Sequence, residues 1–153
     1  MPFFTEFRPL SEVTLHVAEA GPQHGPVTIL LHGFPEFWWG WRSQIEILAR
    51  AGLRVIVPDQ RGYNLSSKPV GTAAYMLDIL AKDIVELADG PAKLQTPTLI
   101  LWGRKDAFLQ PGLAEATLQR FEDARLIWFE TAGHWVHHEE PHAVAEAIIE
   151  FLL

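Results

Sequence analysis

The chain has 153 residues, 48% of them hydrophobic and 20% charged, the balance of a globular domain with one sizeable core. A formal net charge of −7 argues against nucleic acid or an anionic membrane surface as partner. With no cysteine, the chain has no route to a disulfide, a thiolate metal site or a cysteine nucleophile.

At the start, Met1–Leu10 lack the basic-then-apolar pattern of a secretory leader, and no apolar run reaches membrane-spanning length, so a cytoplasmic protein is expected. Phe3–Arg8 and Val13–Glu19 read as extended segments, followed by a turn over Gly21–Pro26. Val27–Leu31 is a short continuous apolar run ending at His32-Gly33, the pattern of a strand buried on both faces. Trp41–Ala51 places Trp41, Ile45 and Leu48 at helical spacing, with Gly52 as the stop. Arg54–Pro58 is a second buried-strand run, ending in Asp59-Gln60-Arg61-Gly62-Tyr63. Tyr75–Asp89 carries Leu77, Leu80, Ala81, Ile84, Leu87 and Ala88 on one helical stripe, closed by Gly90-Pro91. The alternation then continues. Thr98–Trp102 is a strand, Gly112–Phe121 a helix, Leu126–Glu130 a strand, and Pro141–Leu153 a helix opened by its proline. Such alternation implies a three-layer, doubly wound α/β fold with a mostly parallel sheet of about six strands. No repeat, low-complexity tract or linker interrupts it, so residues 1–153 read as a single domain.

In an open parallel sheet, ligands gather at the carboxyl ends of the strands. His32-Gly33-Phe34-Pro35, Asp59, Asp106 and His134 all lie there. Each has a plainer reading: a glycine making a turn, an aspartate capping a helix, a histidine facing solvent. The four together, each after a successive strand, point to a site.

His32-Gly33-Phe34-Pro35-Glu36-Phe37-Trp38 resembles the oxyanion-hole motif of epoxide hydrolases, relatives of haloalkane dehalogenases within the α/β-hydrolase fold. Trp41-Arg42-Ser43-Gln44-Ile45 is similar to the helix start that follows that motif, and the run Asp59–Pro69 to the family's loop after the next strand. The run Pro97–Asp106 resembles the segment bearing the acidic member of the catalytic triad. Gly133-His134-Trp135 resembles the segment bearing the catalytic histidine. The resemblance implies Asp106 as the orienting acid, His134 as the base and the Phe34 N–H in the oxyanion hole, with Trp38 beside it at the substrate-binding end. The residue types suit these roles. Histidine titrates near working pH, and a carboxylate behind it fixes its tautomer.

The departure from the family lies in the middle. Members are longer, and after the helix ending near Asp89 they continue into a strand, a nucleophile elbow and a helical cap. Here Asp89-Gly90-Pro91-Ala92-Lys93-Leu94 leads straight to the strand before Asp106. The elbow requires a Gly-x-nucleophile-x-Gly turn, and no such pentapeptide with Asp, Ser or Cys occurs. The cap tyrosines have no counterpart, since Tyr63 and Tyr75 lie in no cap-like segment. Ser66 and Ser67 are expected to cap a helix rather than to attack a substrate. The spacings His134–His138 and His138–His142 suggest helical metal ligands, but Pro141 interrupts such a helix, so no metal or other cofactor is expected. If the strand Thr98–Trp102 takes the place the missing segment vacates, the strands would follow the order one, two, four, three, five, six.

The expectation is therefore a minimised α/β-hydrolase core without a cap domain, catalytically impaired or serving as a scaffold. The alternative is a weak, promiscuous ester or epoxide hydrolase using His134, Asp106 and the Phe34 N–H. A small hydrophobic ligand fits either reading. Phe34, Phe37, Trp38, Trp39 and Trp41 crowd one loop, which suggests a homodimer through that aromatic end.

Overall fold

The computed structural model describes residues 3–88, 98–119 and 123–153. The chain divides into two compact units, Met1–Ala92 and Lys93–Leu153.

The first unit begins with β1 (Phe4–Pro9) and β2 (Thr14–Ala20), paired antiparallel from Phe4 opposite Glu19 to Pro9 opposite Thr14. The turn between them is closed by Leu10 N–H donating to the Val13 carbonyl at 2.7 Å. Two strands joined by so short a turn can only be antiparallel. β3 (Val27–Ile29) and β4 (Arg54–Pro58) run parallel, and β2 pairs antiparallel with β4, which gives the order β1-β2-β4-β3. With neighbours on both sides, β2 is buried from Leu15 to Ala20. Its two charged or polar positions are paired: Glu19 accepts from Arg8 and from Arg54 Nε at 2.8 Å, and His16 is bonded to Asp59.

Val13, Leu15, Val17, Ile56 and Leu87 form the core of this sheet, with Leu10 and Ile29 packed against them. Helix α1 (Arg42–Arg50) turns Gln44, Ile45, Leu48 and Ala49 inward, a stripe one helical turn apart. Each fully buried Leu or Ile contributes about 2 kcal/mol by leaving water. Gly52, at φ +94, ends the helix as expected, in a conformation that costs a residue with a Cβ. Helix α2 (Leu77–Leu87) is tied to the loop after β4 by Arg61, whose Nε and Nη2 donate to the Asp83 carboxylate at 2.8 and 2.7 Å.

In the second unit, β5 (Thr98–Gly103) and β6 (Ala124–Phe129) run parallel, from Thr98 opposite Ala124 to Gly103 opposite Phe129. Helix α3 (Pro111–Leu118) connects them in sequence, a four-residue helix α4 (Val136–Glu139) follows β6, and α5 (Pro141–Leu152) buries Val144, Ala145 and Ala147.

Several expectations need correction. Of the expected sheet of about six mostly parallel strands, the first unit carries four and the second two, and two of the four described pairings are antiparallel. The hairpin of β1 and β2 accounts for the first antiparallel pairing, since its short turn reverses the chain before the parallel alternation starts. The helices expected from Trp41 and from Tyr75 start later, at Arg42 and Leu77, after 3-10 turns over Trp38–Trp41 and Thr72–Tyr75. α4 was not expected, and β6 starts two residues before the anticipated Leu126. The junction Asp89–Leu94 lies outside the described residues. Among the described residues, no helix is long and apolar enough to cross a membrane.

Candidate active site

The parallel pair β5–β6 sends both of its carboxyl ends the same way, one opening into the loop that carries Asp106 and the other into the loop that carries His134. Gly103 closes β5, and a Cβ built there would stand 2.0 Å from the Gly133 carbonyl oxygen and 2.6 Å from that of Ala132. Only glycine permits that approach. Arg104 N–H then donates to Phe129 O and Lys105 N–H to Ala132 O, both at 2.9 Å, which binds the two loops along their backbones.

This zipping brings Asp106 to His134. Nδ1 of His134 lies 2.9 Å from Oδ2 of Asp106, whose side chain is 5% exposed against 30% for the imidazole. The other carboxylate oxygen, Oδ1, accepts the amides of Phe108 at 2.8 Å and Leu109 at 2.9 Å. Burial by itself raises the Asp106 pKa. The hydrogen bond from His134, the two amides and the histidine's charge together outweigh it and hold the carboxyl below its ordinary value. An ionised carboxylate only accepts, so the proton between the pair belongs to Nδ1. In the neutral imidazole Nε2 is then the lone-pair nitrogen, the arrangement a general base needs. Phe108 and Trp135 stand edge-on to the imidazole, with ring centroids at 5.2 and 5.3 Å. A cavity of ≈ 160 Å3 adjoins the pair, lined by Leu101, Trp102, Gly103, Asp106, Leu109, His134 and Val136.

In the first unit, the loop after β3 carries Phe34, 80% exposed, after a buried His32. The loop after β4 holds it at both ends. Gln60 N–H donates to Nε2 of His32 at 3.1 Å, and its side-chain amide donates to the His32 carbonyl. Asp59, fully buried, accepts the Trp38 N–H at 3.0 Å with one oxygen. Its other oxygen accepts from His16 Nδ1 and Asn64 Nδ2, both at 2.8 Å. Among the described residues, none accepts from the Phe34 N–H. The Trp38 ring is half-buried between Phe3 and Trp39, with centroids at 5.3 and 5.1 Å.

Asp106 and His134 are thus brought together, and Phe34 and Trp38 share one loop. Asp59 is a structural acceptor, joining Trp38, His16 and Asn64 rather than capping a helix. Ser66 and Ser67 cap no helix: Ser66 Oγ accepts the His16 N–H at 2.9 Å, and Ser67 Oγ accepts the Thr14 N–H at 3.0 Å, pinning their loop to β2. The metal spacings are not realised on one helix, because His134 precedes α4 and His138 and His142 lie on different helices. Two carboxylates went unnoticed in the sequence. Glu139 accepts the amides of Gly133 and Trp135, and Glu140 accepts the Thr131 hydroxyl. Their one signal was position, an acidic pair closing a short polar run before Pro141.

A family model for the alpha/beta hydrolase fold matches residues 26–91, and one for the alpha/beta hydrolase family matches residues 75–147. The AB hydrolase superfamily protein YfhM of Bacillus subtilis is 61% identical over 75 residues, 49% of this chain and 26% of that protein. Epoxide hydrolase A of Mycobacterium tuberculosis is 52% identical over 77 residues, 50% of this chain and 24% of its own length. The matched stretches thus span about a quarter of the length of these curated relatives. A solved structure described as novel epoxide hydrolases of the alpha/beta hydrolases superfamily from hot-environment metagenomes superimposes with a TM-score of 0.86. That superposition covers 100% of this chain and 99% of the other, and at 21% identity it speaks for the fold alone. With the strand–loop–helix order, the paired acid and base and these matches in agreement, the chain belongs to the α/β-hydrolase family, among its epoxide-hydrolase-like members.

Proposed function

We propose that this chain is an epoxide-hydrolase-like core that keeps the base and its orienting acid and lacks the nucleophile, so that covalent catalysis is lost and the fold acts as a scaffold. Residues 1–153 are taken as one minimised hydrolase core without a cap domain. The observation that carries the reading is the Asp106–His134 pair, 2.9 Å apart with the acid held ionised, beside a sequence with no nucleophile elbow. In family chemistry an attacking side chain forms a covalent intermediate, and the base then activates water against it. Base and donor without the attacking atom leave only the second half of that sequence.

The assembled pair also favours a second reading, weak hydrolysis of activated esters or epoxides. There, His134 Nε2 would take a proton from water as the water attacks. The ≈ 160 Å3 cavity supports a small hydrophobic ligand, since Leu101, Trp102, Leu109 and Val136 line it beside the pair. The exposed Phe34, Phe37 and Trp39 support a homodimer through the aromatic loop.

Turnover of an activated ester and of a small epoxide by wild type and His134→Ala separates the two readings. The scaffold reading expects the two proteins to be equal. A wild type about 100-fold faster or more, the usual contribution of a general base, would replace it with the hydrolase reading.

A further inference from the structure

The imidazole of a base is only as well placed as the backbone that carries it, and His134 sits in a loop rather than on a strand or helix. Trp135, the residue before α4, has φ −97 and ψ 59 and no side-chain cap. A histidine on such a loop would ordinarily sample several orientations. Its two neighbouring amides, however, end on one carboxylate: Gly133 N–H donates to Glu139 Oε2 at 2.8 Å and Trp135 N–H to Glu139 Oε1 at 3.2 Å. The closure is reciprocal, because Glu139 N–H and His138 N–H both donate to the Trp135 carbonyl, at 3.0 and 2.9 Å. It resembles a capping box set one residue further along the helix, with the acid reaching back to the amide that opens α4. Gly133 leaves the carboxylate its room, since a Cβ there would come within 3.2 Å of Glu139 Oε1.

We infer that Glu139 is the positioning residue of His134: by holding the amides on either side, it fixes the backbone so that Nδ1 faces Asp106. This rests on the reading of His134 and Asp106 as the base pair, and it concerns geometry rather than turnover. Glu139 touches neither the imidazole hydrogen bond nor the cavity lining described above.

The test uses the full chain labelled with 15N, as wild type, Glu139→Ala and Glu139→Gln. At neutral pH the imidazole nitrogen shifts of His134 report which nitrogen carries the proton. In wild type a single Nδ1-protonated form is expected. In Glu139→Ala a mixture of both tautomers is expected, with the Gly133 and Trp135 amides exchanging about 10- to 100-fold faster, the protection a hydrogen bond to a charged acceptor carries. Amides within β5 and β6 should keep their protection, which a general loss of stability would not allow. Glu139→Gln, with one acceptor oxygen left, should keep one of the two amides protected. A Glu139→Ala protein with the wild-type His134 signature overturns the inference. If that variant does not fold, Glu139→Gln with both amides and His134 unchanged overturns it equally. A displaced imidazole supports the positioning role even where wild type and His134→Ala hydrolyse ester at the same rate, a result that speaks only against the hydrolase reading.

Discussion

Asp106 divides its two oxygens between two tasks: Oδ2 accepts the hydrogen bond from the imidazole Nδ1, while Oδ1 fastens the start of its own loop through Phe108 and Leu109. Replacing it with asparagine keeps the shape and removes the charge. The side-chain nitrogen introduced by Asp106→Asn can only donate toward Nδ1, so the His134 proton should move to Nε2, the nitrogen a base needs empty. The imidazole 15N shifts of Asp106→Asn check this, and an unchanged tautomer would mean that the pair does not set it. The same carboxylate links stability to acidity. Because its pKa is lower in the folded chain than the ordinary 3.8, it adds stability that is fully present above that value. That contribution is lost as pH falls through the lower, folded value. Urea midpoints followed from neutral pH to below pH ~3 should therefore fall more steeply for wild type than for Asp106→Asn.

At the scale of the element, the close pass of Gly103 under the Gly133 carbonyl is what aligns the two loops. A methyl group there meets backbone rather than a side chain that can rotate away, so Gly103→Ala should cost more than the roughly 1–3 kcal/mol of ordinary overpacking. Thermal melting, together with the His134 tautomer, would show both the lost stability and the parted loops. A melting point equal to that of wild type would contradict so tight a pass. What the sequence disclosed follows the same logic of scale. Elements whose apolar pattern is regular, such as α1 with Ile45 and Leu48 at helical spacing or β4 with the continuous run Val55 to Val57, were legible because burial follows the pattern along them. Asp106 and His134 were legible because they follow strands and match a family motif. The clamp of Glu139, the buried His16–Asp59 pair and the anchoring of Ser66 and Ser67 were not. Those side chains bond to backbone or to residues remote in sequence, and such bonds leave no period to read. Strand direction was not legible for a related reason. A hydrophobic run has the same look in either orientation, and the Leu10–Val13 turn fixes it for β1 and β2 alone.

For the whole molecule, the aromatic loop after β3 is the feature that solution measurements can test most directly. Phe34 and Trp39 are 80% and 44% exposed, whereas Trp38 is half-buried beside Phe3, so the outward surface is carried by the first two with Phe37. Pairing two copies of this surface removes large rings from water at about 25 cal/mol per Å2, enough to offset part of the entropy of association. Sedimentation at high micromolar concentration should find a dimer in wild type and a monomer in a Phe34→Ser, Trp39→Ser double mutant. A monomeric wild type ends the proposal. The short parallel pair β5–β6 has a different consequence, one of inheritance. Asp106, His134 and Glu139 all lie between Thr98 and Glu139, and the hydrogen bonds that join their loops close within that stretch. A genetic exchange whose break point falls anywhere outside it hands on all three as one piece, whatever chain is joined ahead of them.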